Sequence, residues 1–84
     1  MKKIAVVILN WNGVPLLKQF LPSVIQFSKE ANIYVIDNAS TDDSISVLKN
    51  EFPNIQIIQN KGNYGFAKGY NEGLKTIKEP YLAL

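Results

Sequence analysis

The residues of this chain that could do chemistry fall in three short polar blocks. These are Asn10-Trp11-Asn12-Gly13, Asp37-Asn38-Ala39-Ser40 and Asn60-Lys61-Gly62-Asn63-Tyr64-Gly65. Together they supply a carboxylate, side-chain amides, two aromatic rings and glycines, which suit hydrogen bonding, stacking and close backbone approach. His and Cys are both 0, so there is no imidazole base, thiolate nucleophile or disulfide. Any metal would have to sit on oxygen ligands.

Two familiar nucleotide sites do not fit. The dinucleotide fingerprint G-x-G-x-x-G needs three glycines after the first strand, and only Gly13 is there. The phosphate loop G-x-x-x-x-G-K-[ST] occurs nowhere. A phosphoryl-accepting receiver domain would want acidic residues where this chain has Asn10 and Asn60.

The elements that must position these blocks follow from the apolar pattern. Ile4 to Leu9 is apolar throughout, as expected for a strand buried on both faces. Ile33–Ile36, Ile55–Ile58 and Tyr81–Leu84 are three further candidate strands. A helix is predicted over about Val14–Phe27, with Pro15 in its opening turn and Leu17, Phe20, Leu21, Val24 and Ile25 on one face. Pro22 should kink or divide it. A second helix is predicted over about Asp42–Phe52, with Ser40 and Asp43 as a capping box and Pro53 as its stop. A third follows Gly65, with Phe66, Tyr70, Leu74 and Ile77 inward and Gly69 and Gly73 packed closely on the sheet. Asn71 is expected to hydrogen-bond across the sheet ends.

Regular alternation of strand and helix specifies an α/β fold with a parallel sheet and right-handed crossovers. The predicted form is Rossmann-like, βαβαβαβ, in strand order 3-2-1-4. In such sheets ligands sit beyond the carboxyl ends of the strands, where strand order reverses. All three polar blocks fall on that edge.

Composition bounds the rest. The chain has 84 residues, one small domain's worth, and a hydrophobic fraction of 46% argues against disorder. Its net charge is +2 and its nine positive side chains are all lysine, spread from Lys2 to Lys78, with no arginine fork. Nucleic acid is therefore not an expected partner. The longest apolar run is too short for a membrane span or a signal-peptide core, although Lys2 and Lys3 imitate the start of one. Lack of cysteine fits a reducing cytoplasm.

The segments Val7–Gly13, Val35–Asp42 and Asn63–Gly73 resemble family 2 glycosyltransferases of the GT-A fold, and within them the rhamnosyltransferase-like branch. The resemblance implies that residues 1–84 are the nucleotide-sugar-binding half of a glycosyltransferase domain. It implies a uridine or thymidine diphosphate sugar donor and a saccharide or lipid-linked acceptor. The setting would be cell-envelope polysaccharide biosynthesis, in the cytoplasm or at the inner face of the membrane. Transfer would be a single displacement with inversion, helped by a divalent cation, Mg or Mn, and a carboxylate base. The family's acidic metal motif falls just beyond Leu84 by this alignment, so neither catalytic nor metal-binding residues are expected within the chain, and the chain alone should not turn over.

Seven residues are the expected nucleotide site: Asn10, Trp11, Asn12, Asp37, Asn38, Gly65 and Lys68. Trp11 offers a face for base stacking, worth roughly 1–3 kcal/mol, or packs under the first helix. Asn12 matches a family position near the nucleotide, or caps the first helix. Asp37 is placed to accept hydrogen bonds from a pyrimidine imide, a ribose or nearby amides, the last being an Asx turn. Asn38 stands where many relatives carry a second acid, and its amide oxygen can still accept from an imide. Ser40 and Thr41 read as helix caps. Gly62 and Gly65 permit unusual backbone angles at a helix N-terminus that attracts diphosphate. Lys68 adds a charge there or is a solvated lysine.

An apolar strand ending at Leu84 without a turn or polar tail reads as a cut, with an open sheet edge prone to self-association. The competing expectation is a non-catalytic α/β nucleotide-binding or regulatory module.

Overall fold

β-branched residues suit a pleated surface buried on both sides, and each run of them forms a strand in the computed structural model, which describes residues 3–83. The elements are β1 (Ile4–Asn10), α1 (Val14–Phe27), β2 (Ala31–Asp37), α2 (Ser44–Glu51), β3 (Gln56–Gln59), α3 (Gly65–Leu74) and β4 (Tyr81–Ala83). The four strands are parallel in the order β3-β2-β1-β4, as the alternation predicted. The predicted strand end at Leu84 lies outside the described residues.

Strand order dictates the layers. Two successive crossovers in one direction put α1 and α2 on the same face of the sheet, and the long step from β3 to β4 puts α3 on the other. Leu17 and Leu21 of α1 and Leu48 of α2 accordingly pack with Ile33 and Val35 of β2. On the opposite face Tyr70, Leu74 and Ile77 pack against Ala5, Val7 and Ile36. The register Asn10↔Asp37↔Gln59 brings the first three strands to a common carboxyl edge.

Several details depart from the sequence pattern. β1 is not buried throughout: Ala5 and Val7 are, whereas Ile4 is exposed and its other apolar residues are half-buried. Among the described residues β4 pairs with Ile4–Val6 of β1. Pro22 does not divide α1, which runs as one helix of 14 residues. Pro22 is exposed, so water can reach the carbonyl its ring displaces. Phe20 is 53% exposed rather than inward. Only the row through Leu17, Leu21, Val24 and Ile25 reaches the sheet, and Phe20 lies beside Leu16 on the flank. Phe66 is 75% exposed, not core; in the first turn of α3 it meets Tyr70 edge-on, ring centroids 5.1 Å apart.

α3 approaches the sheet more closely than an ordinary helix. A Cβ on Gly73 would run into Cδ1, Cγ1 and Cγ2 of Ile36, and one on Gly69 would meet the Asn38 side chain at 2.9 Å. Both glycines are buried, as the sequence predicted. At the opposite, amino edge Glu79 accepts hydrogen bonds from Asn32 Nδ2 at 2.8 Å and from the Tyr34 hydroxyl at 2.8 Å, tying the approach to β4 to the start of β2. Burial pushes the Tyr34 hydroxyl up, and Glu79 beside it pushes it further.

Alanine normally stabilises a helix over glycine by about 1 kcal/mol. At position 73 the sign should reverse, because fully buried Ile36 has nowhere to go. Gly73→Ala is expected to destabilise the chain by about 1–3 kcal/mol in urea unfolding. An unchanged or raised midpoint would refute the close packing.

Candidate functional site

Asp37 ends β2 with its carboxylate inside the protein, 2% exposed. A buried carboxylate must be answered by donors, and three answer it. Asn10 Nδ2 donates to Oδ1 at 2.9 Å, the Ser40 hydroxyl donates to Oδ1 at 2.7 Å, and the Ser40 amide donates to Oδ2 at 2.9 Å. The last bond closes a tight turn through Asn38 and Ala39, and Ala39 takes a φ of 62° to complete it. Asp37 thus stabilises the turn after β2, through the amide three residues on rather than the two of an Asx turn, and Asn10 is its cross-strand partner.

Ser40 passes the order outward. Its hydroxyl oxygen accepts from the Asn12 amide at 2.9 Å and from Asn10 Nδ2 at 3.3 Å. Asn12, held at a left-handed φ of 51°, turns its side chain onto the second loop rather than onto α1. Its Oδ1 accepts from the amides of Thr41 at 2.7 Å and Asp42 at 3.1 Å, and its Nδ2 donates to Thr41 Oγ1 at 3.1 Å. The loops after β1 and β2 are clipped together side chain to backbone.

The predicted caps are therefore corrected. Ser40 and Thr41 cap no helix, because their groups serve the clip. Asp43, at the N-cap of α2, makes no side-chain cap bond, and neither does Gly13 at the head of α1. Asp42 does the work at both helices: Oδ1 accepts from the Ser44 amide at 2.9 Å and from its hydroxyl, and Oδ2 from the Val14 amide at 3.4 Å. Burial pushes the Asp42 carboxyl up, but the Ser44 hydroxyl and the amides of Ser44, Val14 and Asp42 outweigh it and hold the group below its usual value.

Asn38, also buried, organises the third block. Its Nδ2 donates to Asn63 Oδ1 at 3.0 Å and to the Gly65 carbonyl at 3.1 Å, and its Oδ1 accepts from Asn60 Nδ2 at 3.1 Å and the Tyr64 amide at 3.3 Å. Asn60 also donates to the Gly69 carbonyl at 3.0 Å, making the link across the sheet ends that was expected of Asn71. Asn71 itself is exposed on α3. Gly65 has a φ of 78° and needs glycine, whereas Gly62 has no left-handed backbone. Lys68 is exposed, with its ammonium 5.0 Å from the centroid of the Tyr64 ring.

The seven predicted site residues thus divide into two sets. Asn10, Asn12, Asp37 and Asn38 direct their polar groups into the protein and shape the three loops. Trp11 and Lys68 are exposed, and Gly65 supplies backbone. Trp11 is 52% exposed, and with Leu16 and Phe20 it borders a cavity of about 280 Å3 that reaches Ile8 and Leu9. About half of the residue is exposed, and it shares the lining of that cavity with α1. Ser40, Asp42 and Asn60 are the organising residues that sequence reasoning misassigned or passed over. Their signal was the density of Asn, Ser, Thr and Asp at two strand ends, residue types that bind neighbouring backbone.

A divalent cation does not fit these residues. Among the described residues no three acidic side chains converge, and the carboxylates of Asp37 and Asp42 are turned to internal donors.

Residues 5–84 match the family profile of Glycosyl transferase family 2. A search of curated proteins by sequence finds no match. In structure the chain is similar to a mannosyltransferase from Pyrobaculum calidifontis, solved in complex with GDP-Man and Mn2+. The TM-score is 0.77 at 20% identity, over 90% of this chain and 24% of that one. The architecture is that of the N-terminal part of a GT-A fold, and the chain spans about a quarter of the length of that solved protein.

The Asp42 network predicts a pH dependence. Its folded pKa lies below the unfolded 3.8, so its contribution is complete above that value and fades as pH falls through the lower folded one. The stability difference between the protein and Asp42→Asn should be present at pH 6 and shrink as the pH drops below 3.8. Urea unfolding across that range measures it. A difference that stays constant would contradict the assignment.

Proposed function

The chain belongs to glycosyl transferase family 2, and on that premise we propose that it binds a nucleotide-diphosphate sugar and presents it for transfer to a hydroxyl acceptor, as part of a larger enzyme. The observation that carries this reading is the convergence at one edge. The loops after β1, β2 and β3 are held by Asp37, Asn12 and Asn38, beside the reversal of strand order at β1, with the Trp11 ring left open among them. That is where doubly wound sheets take their ligands.

In the proposed arrangement the base stacks on Trp11. A carboxylate offers about four lone-pair positions, and three on Asp37 are filled from within. The group is 2% exposed, so Asp37 acts on the base through the loops it holds, and the preference for uridine or thymidine over adenosine rests on the family resemblance. The amides heading α3 and the Lys68 ammonium lie on the phosphate side. The acceptor oxygen attacks the anomeric carbon, the bond to the diphosphate breaks with inversion, and the acceptor proton passes to a carboxylate base. We assign neither that base nor the Mg or Mn ligands to residues described here.

The finer affiliation is with the rhamnosyltransferase-like branch, on the Asp37-Asn38 pair and the Asn63–Gly73 block. It supports a saccharide or lipid-linked acceptor, a role in cell-envelope polysaccharide biosynthesis, and a location in the cytoplasm or at the inner membrane face. Self-association through β4, where Tyr81 and Leu82 are exposed on an edge strand, belongs to the same reading.

Calorimetry with uridine, thymidine, guanosine and adenosine diphosphates tests the proposal. Binding should be weak and pyrimidine-preferring, with little gain from Mn or Mg. Asp37→Ala should cost about 1.5–3 kcal/mol and abolish it, whereas Lys68→Ala should leave most of it. Equal binding of adenosine diphosphate, or no loss on changing Asp37, would sink the site; a guanosine preference would overturn the donor type.

A further inference from the structure

We propose that Ser40 is the positioning residue of this site, its hydroxyl carrying the order of the buried Asp37 carboxylate out to the exposed Trp11–Asn12 turn. The proposal deepens the functional reading above and rests on it only where the ligand is concerned.

Three hydrogen bonds meet at Ser40 Oγ. It donates to Asp37 Oδ1 at 2.7 Å, and it accepts from the Asn12 amide at 2.9 Å and Asn10 Nδ2 at 3.3 Å. A hydroxyl has one proton and two lone pairs, so the group is fully used. Because a carboxylate can only accept, the Ser40 proton is directed inward, and both lone pairs are left facing the loop after β1. That polarity makes the hydroxyl an acceptor for the Asn12 amide, which an alanine there could not be.

The turn needs such a clamp. Asn12 sits at a φ of 51°, a conformation that costs a non-glycine residue free energy and persists only when its surroundings enforce it. The amides of its neighbours Trp11 and Gly13 have no hydrogen-bond partner among the described residues, so between the Asn10 carbonyl, which accepts from the Asn38 amide, and the Gly13 carbonyl, which accepts from the Leu17 amide, the Asn12 N–H is the backbone group that anchors the turn. Side-chain bonds from Asn12 to Thr41 and Asp42 fix the other end. Trp11, the residue proposed to receive the base, precedes this anchor directly. Without Ser40 Oγ the indole would sample more orientations, and binding would have to order it again.

Trp11 is the single tryptophan of the chain, so its fluorescence reports this turn alone. The experiment compares the full chain with Ser40→Ala and Ser40→Thr, each checked for folding by far-ultraviolet circular dichroism. Ser40→Ala should raise acrylamide quenching of Trp11 and lower its anisotropy. It should also weaken uridine or thymidine diphosphate binding about tenfold, as loss of one hydrogen bond would. Ser40→Thr, which keeps the hydroxyl, should restore all three. A merely structural serine would lower the unfolding midpoint and leave the folded-state Trp11 signal unchanged, and that outcome overturns the proposal. If Ser40→Ala fails to fold, amide exchange in the unaltered chain decides. Asn12 should exchange more slowly than Trp11 and Gly13, and equal rates overturn the clamp. Absence of nucleotide binding by the unaltered chain would count against the functional reading, and the exchange and quenching results judge the clamp separately.

Discussion

A carboxylate sealed at the end of a parallel strand is the constraint around which this edge of the protein is arranged. Removing Asp37 from water is costly unless donors replace the hydration it loses. Asn10, its register partner on β1, and Ser40, three residues on, are those donors. Meeting them draws the chain into a turn that requires the left-handed φ at Ala39. From Ser40 the requirement spreads to Asn12, and from Asn12 to Thr41 and Asp42. The Asp42 carboxylate then accepts from the amides that begin α1 and α2. One buried charge thus fixes two loops and two helix starts, and leaves the Trp11 ring as an exposed flat surface above them.

Asn38 plays the matching part for the third loop. As a neutral amide it both donates and accepts, so it can bridge Asn63, Gly65, Asn60 and Tyr64 at once. A second carboxylate there could only accept, and would lose the bonds that Nδ2 makes to two oxygens. The departure from an acid at this position therefore changes what the residue does: it knits the α3 entry to β2. The same packing needs glycine at position 69, because any side chain would collide with Asn38, and at position 73, where the obstacle is Ile36. Polar edge and apolar face of α3 are joined through that one close approach.

The other side of β1 carries β4. Among the described residues β4 pairs with three residues of its neighbour, and Ile4, Trp11, Leu16 and Phe20 are exposed along with Tyr81 and Leu82. Further along β1 the Leu9 amide donates to the Tyr70 hydroxyl at 3.2 Å. An unpaired backbone donor at a half-buried strand is costly, so a side chain from the opposite helix meets it.

Strand order, the parallel sheet, the positions of α1 and α2 to within two residues, the start of α3 and the use of Gly69 and Gly73 for close packing were legible from the sequence alone, whereas α3 ends at Leu74, short of the Ile77 placed on it. The physical reason is periodicity: continuous β-branched runs and helical apolar spacing are local, and alternation leaves few topologies. Glycosyl transferase family 2 was legible as well, in three blocks of residue types at strand ends. What the tertiary structure alone decided is where each polar hydrogen goes. Ser40 looked like a cap and is a relay, Asn71 looked like the cross-link and Asn60 is, and Phe20 and Phe66 looked inward and are not. Hydrogen-bond partners among Asn, Ser, Thr and Asp depend on which loops are brought within 3 Å of one another, and a sequence pattern carries no such distance. The apolar rows fail for a related cause: a row is buried only as far as the neighbouring sheet extends, and its width is set by the pairing of all four strands.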